Sequence, residues 1–162
     1  MCSTVIFDSA SRGALGRRVT QTALRDFAAT LEKRVARGRA FNCLITGDAE
    51  LRRLNRQFRR KDYPTDVLSF PAEADVPAMD PAPGDDRSRT LGELAISAER
   101  ALDQAREQGH SLGDELRILM LHGVLHLIGL DHESDHGEMA RAETRWRKTF
   151  ELPNGLIERA RQ

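Results

Sequence analysis

Leu119-Met-Leu-His-Gly-Val-Leu-His-Leu-Ile-Gly-Leu-Asp-His132 is the stretch on which the reading of this chain turns. Ser111-Leu-Gly-Asp114 ahead of it is a capping box, so the apolar run that follows reads as a helix. His122 and His126 stand four residues apart, which sends both imidazoles from one helical face about one turn apart. Gly129 then stops the helix, because glycine can take the left-handed conformation that turns the chain back. The turn Leu130-Asp131 brings His132 round to the same point. Three neutral imidazoles with an open fourth position make up a catalytic zinc site, whereas structural sites are closed by four ligands rich in cysteine. This helix is apolar nearly all round, so the other elements must enclose it.

The spacing His-x-x-x-His-x-x-Gly-x-x-His is that of the metal ligands in metzincin peptidases, with one difference of chemical weight. Gly123 stands where those enzymes carry the glutamate that acts as general base. The chain therefore has the ligand cage without the peptidase's proton acceptor, and the missing side chain reads as room for a substrate backbone. Asp131 is a candidate for receiving the proton, and equally a turn residue or a partner of a ligand imidazole. His136 reads as an exposed residue at the start of the next helix, not a fourth ligand.

At 162 residues and 40% hydrophobic content the chain suits one core, so residues 1–162 are expected to form a single domain. Net charge is zero, which excludes nucleic-acid binding by bulk charge and demands a local patch. Three lysines against 22 arginines is a bias that suits bidentate phosphate contacts but decides little alone. Cys2 and Cys43 form neither a zinc motif nor a disulfide framework and fit free thiols in a reducing cytosol. The opening Met-Cys-Ser-Thr-Val-Ile-Phe-Asp lacks the features of a signal peptide, and the apolar run from Leu116 to Leu130 is too short to span a bilayer. A cytoplasmic protein with no membrane partner is expected.

Working along the chain, Thr4–Phe7 reads as a strand and Gly13 to about Arg37 as one amphipathic helix with Leu15, Val19, Ala23, Phe27 and Leu31 inward. Ala40–Thr46 reads as an inner strand buried on both faces, and Asp48 as the cap of a helix to about Arg60. On that helix Leu51, Leu54 and Phe58 form the buried stripe, Arg52, Arg53, Arg56 and Arg60 the outer side, and Asn55 and Arg59 the edge, where they can point into a cleft. The outer arginines serve either as a solvated face or as contacts to an RNA backbone. Val67–Phe70 and Leu91–Ser97 are further strands, separated by a proline-rich acidic segment, 72–89, expected to be a mobile loop. Helices follow over about Ala98–Gln108, over the histidine stretch, and from a second capping box, Asp135-His-Gly-Glu138, to about Phe150. The order β-α-β-α-β-β-α-α-α predicts an α+β fold, with a four-stranded mixed sheet, about five helices and the metal-bearing helix packed across the layer.

Two stretches together resemble one family. Leu54-Asn-Arg-Gln-Phe-Arg-Arg-Lys-Asp-Tyr-Pro-Thr-Asp-Val-Leu-Ser-Phe-Pro71 and His122-Gly-Val-Leu-His-Leu-Ile-Gly-Leu-Asp-His132 are similar to the signature segments of the bacterial YbeY proteins, zinc-dependent endoribonucleases of ribosomal RNA maturation. Leu91-Gly-Glu-Leu-Ala-Ile-Ser97 stands where that family has Leu-Gly-Asp-Ile, so Glu93 departs from the pattern by one methylene. The resemblance covers roughly residues 40 to 150. It implies one zinc per chain on His122, His126 and His132, and Arg59 as the functional arginine beside it. It also implies single-stranded ribosomal RNA as substrate, 3′-end maturation of the small-subunit RNA and ribosome quality control as roles, and ribosomal partners.

The chemistry agrees with that expectation. A zinc held by three histidines polarises a phosphoryl oxygen and lowers the pKa of its water to about 7, and a guanidinium can clamp the phosphate through two parallel bonds. Two other readings fit parts of the sequence. One is a zinc peptidase, which the missing glutamate disfavours, and the other is a non-catalytic module whose metal only stabilises an RNA- or ribosome-binding surface. With only the Arg52–Lys61 patch available and the acidic segment repelling phosphate, RNA binding should be weak and should fall along a shallow salt slope, on the order of two to four phosphate contacts.

Overall fold

The structure, a computed structural model, describes residues 2–17, 19–72 and 90–160. Among the described residues the order is β1 (Thr4–Phe7), α1 (Ser9–Leu15), α2 (Gln21–Arg34), β2 (Ala40–Thr46), α3 (Asp48–Arg59), β3 (Val67–Pro71), β4 (Thr90–Ser97), α4 (Ala98–Gln108), α5 (Leu112–Leu127), α6 (Glu138–Thr149) and α7 (Leu156–Ala160). The sheet runs β1-β2-β4-β3, with β1, β2 and β4 parallel and β3 antiparallel at the edge. This is the expected α+β fold with a four-stranded mixed sheet, and among the described residues it carries seven helices where about five were expected. The acidic segment expected to be a loop lies, apart from Ala72, outside the described residues.

Helix α5 is the centre of the packing. All but three of its residues are buried, the exceptions being Asp114, Arg117 and His126. It packs against β3 and β4 on one side and against α2, α4 and α6 on the others, so its apolar circumference is fully used. Each fully buried leucine on it, such as Leu116 or Leu119, contributes about 1.5–3 kcal/mol relative to exposure. Ser111 caps it as expected, its Oγ accepting from Asp114 N at 3.1 Å.

Four details differ from expectation. The first long helix is two: Gly16, with φ of 51°, ends α1, and the Thr20 side chain caps α2 by accepting from Ala23 N. Strand β2 is fully buried on one face, through Phe41, Cys43 and Ile45, whereas on the other Ala40 and Thr46 are buried, Leu44 is half-buried and Asn42 is exposed. Asp48 begins α3 without capping it, because its carboxylate accepts from Ser97 Oγ and Arg100 Nε and ties α3 to α4. Finally, the inward stripe of α3 is Leu51 and Asn55 with Leu54 half-buried beside them, whereas Phe58 is 59% exposed and meets Phe70 edge-on at 5.3 Å. The reason is the small target: α3 buries Leu68 and Ala95 of the sheet, with Phe70 half-buried at the edge, and one stripe of a helix fills that patch and leaves Phe58 at its rim.

A candidate metal centre

The three histidines come together at the C-terminal end of α5. One ring nitrogen from each of His122, His126 and His132 lies within 4.8 Å of the others. His122 is buried, His126 half-buried and His132 exposed, so the group opens to solvent on one side. Gly129, at φ of 100°, makes the turn that allows this, with Leu130 N donating to Leu125 O and Gly129 N to His126 O. Asp131 then fixes the loop bearing His132 by accepting from Glu133 N at 3.0 Å and Ser134 Oγ at 3.1 Å.

The donor chemistry suits a metal ion. His122 Nε2 and His126 Nε2 are 3.2 Å apart, close to the roughly 3.3 Å that two nitrogens about 2.0–2.1 Å from one tetrahedral zinc would show. His122 Nδ1 faces Glu143 Oε2 at 2.7 Å, and Glu143 Oε1 accepts from Ile157 N at 2.9 Å. That carboxylate takes the Nδ1 proton in a hydrogen bond and leaves the Nε2 lone pair directed at the other imidazoles. Burial, and then the charges of His122 and His132, push the His126 pKa below its ordinary value and favour the neutral ring that coordinates. Glu143 escaped the sequence reading, although a carboxylate on the buried stripe of α6, beside Met139 and Ala140, is the signal that marks it.

A cleft of about 480 Å³ leads to the histidines, walled by β3, the end of α3 and the turn after α5. Arg59 and Asp131 both line it. Arg59 makes no ion pair among the described residues, whereas Arg52 is bidentate on Asp62, Arg53 pairs with Glu50 and Arg56 approaches Asp62 at 3.8 Å. Those three outer arginines are thus largely occupied by carboxylates. Asn55 does not reach the cleft; it is buried, and its Nδ2 donates to Tyr63 O at 2.8 Å, holding the chain that leads into β3. Asp131 is held below the usual carboxylate range by its bonds to Glu133 N and Ser134 Oγ, which makes it a weak proton acceptor near neutral pH. His136 is exposed and stands outside the histidine group.

Two further positions change meaning. Gly123 does not open space over the metal: a Cβ there would come within 2.7 Å of Leu94 Cδ2, so the glycine lets α5 lie against β4. Glu93 is exposed on β4, and strand alternation puts it on the sheet face opposite Leu94 and the histidines. Asp66, in the proline-flanked segment, lines the cleft but is fully engaged, accepting from Val67 N, Thr65 Oγ and Gln104 Nε2. Ser69 Oγ donates to Gly123 O at 3.2 Å and fastens β3 to α5.

A family model described as Endoribonuclease YbeY matches residues 11–151. The chain belongs to this family. A protein named Endoribonuclease YbeY from Solibacter usitatus is 58% identical over 137 residues, covering 85% of this chain and 84% of the relative. Its Helicobacter pylori namesake is 44% identical over 119 residues, covering 74% and 77%. Among solved structures, a Thermotoga maritima protein determined in solution superposes with a TM-score of 0.54 at 26% identity, covering 92% of this chain and 93% of that one. The YbeY signature segments found in the sequence are therefore those of a true family member, and they are the segments that wall the cleft.

Proposed function

We propose that this protein is a zinc-dependent endoribonuclease of single-stranded RNA, a single metallo-hydrolase domain that matures the 3′ end of small-subunit ribosomal RNA and serves ribosome quality control in the cytoplasm. The observation that carries the reading is the cleft itself, where three convergent imidazoles and a guanidinium with no ion pair among the described residues face the same space. Relatives named as endoribonucleases support it. No described helix is long and apolar enough to cross a membrane, which fits the proposed location.

His122, His126 and His132 would hold the ion, with Glu143 orienting the first ring. When bound, zinc supplies Lewis acidity toward a phosphoryl oxygen and activates water at neutral pH. Arg59 binds the phosphate through its two-pronged guanidinium and stabilises charge that grows as the diester is attacked. Asp131 orients the His132 turn and lies within the cleft, where it can take a hydrogen bond from substrate or solvent. A single strand fits this cleft because its backbone can splay toward the histidines, whereas an A-form duplex holds its phosphates on a rigid outer surface. The peptidase alternative loses further support, since position 123 points at Leu94.

The test pairs metal content with cleavage of single-stranded and duplex RNA for wild type, Arg59→Ala, Arg59→Lys and His126→Ala. His126→Ala should lose zinc and activity together. Arg59→Ala should keep zinc and fold while cleavage falls about 10²–10³-fold, with lysine restoring only part. Loss of zinc or fold in Arg59→Ala would refute the clamp, and equal cleavage of duplex would refute the strand preference.

A further inference from the structure

A second cleft, of about 410 Å³, adjoins the first, and Leu130 lines both. Its apolar lining includes Leu125, Ile128 and Trp146, with Ile128 39% exposed. Four arginines surround it: Arg34 at the end of α2, Arg37 and Arg39 just beyond, and Arg145 from α6. None of the four makes an ion pair among the described residues. Arg39 Nη2 donates to Thr90 O at 3.5 Å, and Arg34 and Arg145 lie over the Trp146 ring at 5.7 and 5.2 Å from its centroid.

In a chain of zero net charge, four guanidiniums around one concavity without a carboxylate partner among the described residues are a local excess of positive potential. Helix-end stabilisation accounts for Arg34, in the last turn of α2, but not for Arg145, which precedes the last turn of a different helix, nor for Arg39. The contrast with α3 is direct, because there Arg52, Arg53 and Arg56 lie against Asp62 and Glu50.

We propose that this groove holds the stretch of RNA strand flanking the scissile phosphate, which reaches it from the histidine cleft by crossing Leu130. The inference rests on the nuclease reading of that cleft and adds a binding track that the cleft alone lacks. Guanidiniums match phosphate oxygens, and the exposed apolar lining matches the faces of unstacked bases and riboses. An acidic protein segment would satisfy the arginines too, but it would have no need of continuity with the histidine cleft, and that continuity favours the strand.

Binding of a fluorescent single-stranded RNA long enough to span both clefts is the deciding measurement, made across a salt series on zinc-loaded protein. The variants are a triple one, Arg34→Ala/Arg37→Ala/Arg145→Ala, and a pair that touches no ring, Arg37→Gln/Arg39→Gln. The triple variant should bind about tenfold more weakly at low salt, with a slope reduced by about 0.7 for each phosphate that is no longer neutralised. The pair should show a smaller change of the same sign. Cleavage of the oligonucleotide should suffer in KM, while hydrolysis of bis(p-nitrophenyl) phosphate, which has no flanking strand, and zinc content stay at wild-type levels. Should wild type cleave no RNA, the nuclease reading fails alone, because the binding series still decides the groove. Unchanged affinity and slope in both folded variants would overturn the proposal, and so would an equal loss of polyglutamate binding, which would assign the groove to acidic protein.

Discussion

A carboxylate that accepts from one nitrogen of an imidazole decides which nitrogen is left to coordinate, and Glu143 does this for His122 at 2.7 Å. Glu143→Gln keeps the volume and an acceptor for Ile157 N, yet an amide is a poorer acceptor for the imidazole N–H. Zinc affinity should fall about 10–100-fold, read by competition with a chelator, and an affinity equal to wild type would sink this role. Gly123 supplies a second residue-level expectation. Gly123→Ala pushes a methyl into Leu94 inside a close-packed layer, costing about 1–3 kcal/mol against about 1 kcal/mol gained in helix propensity. Gly123→Glu, which restores the peptidase spacing, should leave little folded protein and no peptidase, since its carboxylate is driven into the sheet and not toward the histidines. A stable, soluble Gly123→Glu would refute that packing account. The histidine spacing was legible because helical geometry converts a separation of four into a shared face. The reason for Gly123 was not, because a bare glycine in sequence does not say which neighbour it admits.

At the scale of elements, Gly13 to Arg37 reads as one helix but is two, since its apolar period hides the stop at Gly16 and the cap at Thr20, whereas the strands and helices α3 to α6 could be read to within a residue or two. Helix α7 could not be. Its five residues carry no period, and polar contacts hold it in place: Arg159 is bidentate on the buried Glu115, Ile157 N donates to Glu143, and Glu158 accepts both Nε and Nη2 of Arg147 at 2.8 Å. Through Glu143 this short helix braces His122, and its Leu156 lines the metal cleft. The Arg147 hydrogen bonds hold the Glu158 carboxyl below its ordinary value of 4.5. A depressed carboxylate pKa contributes stability that is present above the ordinary value and is lost as pH falls through the lowered one. Arg147→Gln should therefore lower Tm at pH 7 by about 2–4 °C, for a contribution of about 1 kcal/mol, with both proteins metal-free. The difference should close once pH drops below the carboxylate range. A gap that persists unchanged in acid would assign the effect to packing and not to charge.

For the whole molecule, the order of elements was enough to anticipate a mixed four-stranded sheet enclosing one apolar helix, because a helix buried on every side needs layers around it. What the order could not supply was the distribution of charge: Glu50 stands one turn from Arg53 on the same helix, but Arg52 and Arg56 look free in sequence and only the fold brings Asp62 onto them. The same fold would make metal binding a long-range tie. His122 and His126 belong to the core helix, while His132 sits on an exposed turn that joins α5 to α6. An ion held by all three binds only when that turn is docked, so its binding free energy adds to folding. At a free zinc concentration about a hundred times the dissociation constant the gain is about 2.7 kcal/mol, which for a chain of this size raises Tm by about 5–11 °C. His132→Ala should cut most of that rise while leaving the metal-free Tm close to wild type, because an exposed turn residue contributes little to the core. Calorimetry of metal-free and zinc-loaded protein checks both parts. An equal zinc-induced rise in wild type and His132→Ala would show that the turn is not tied to the core through this centre.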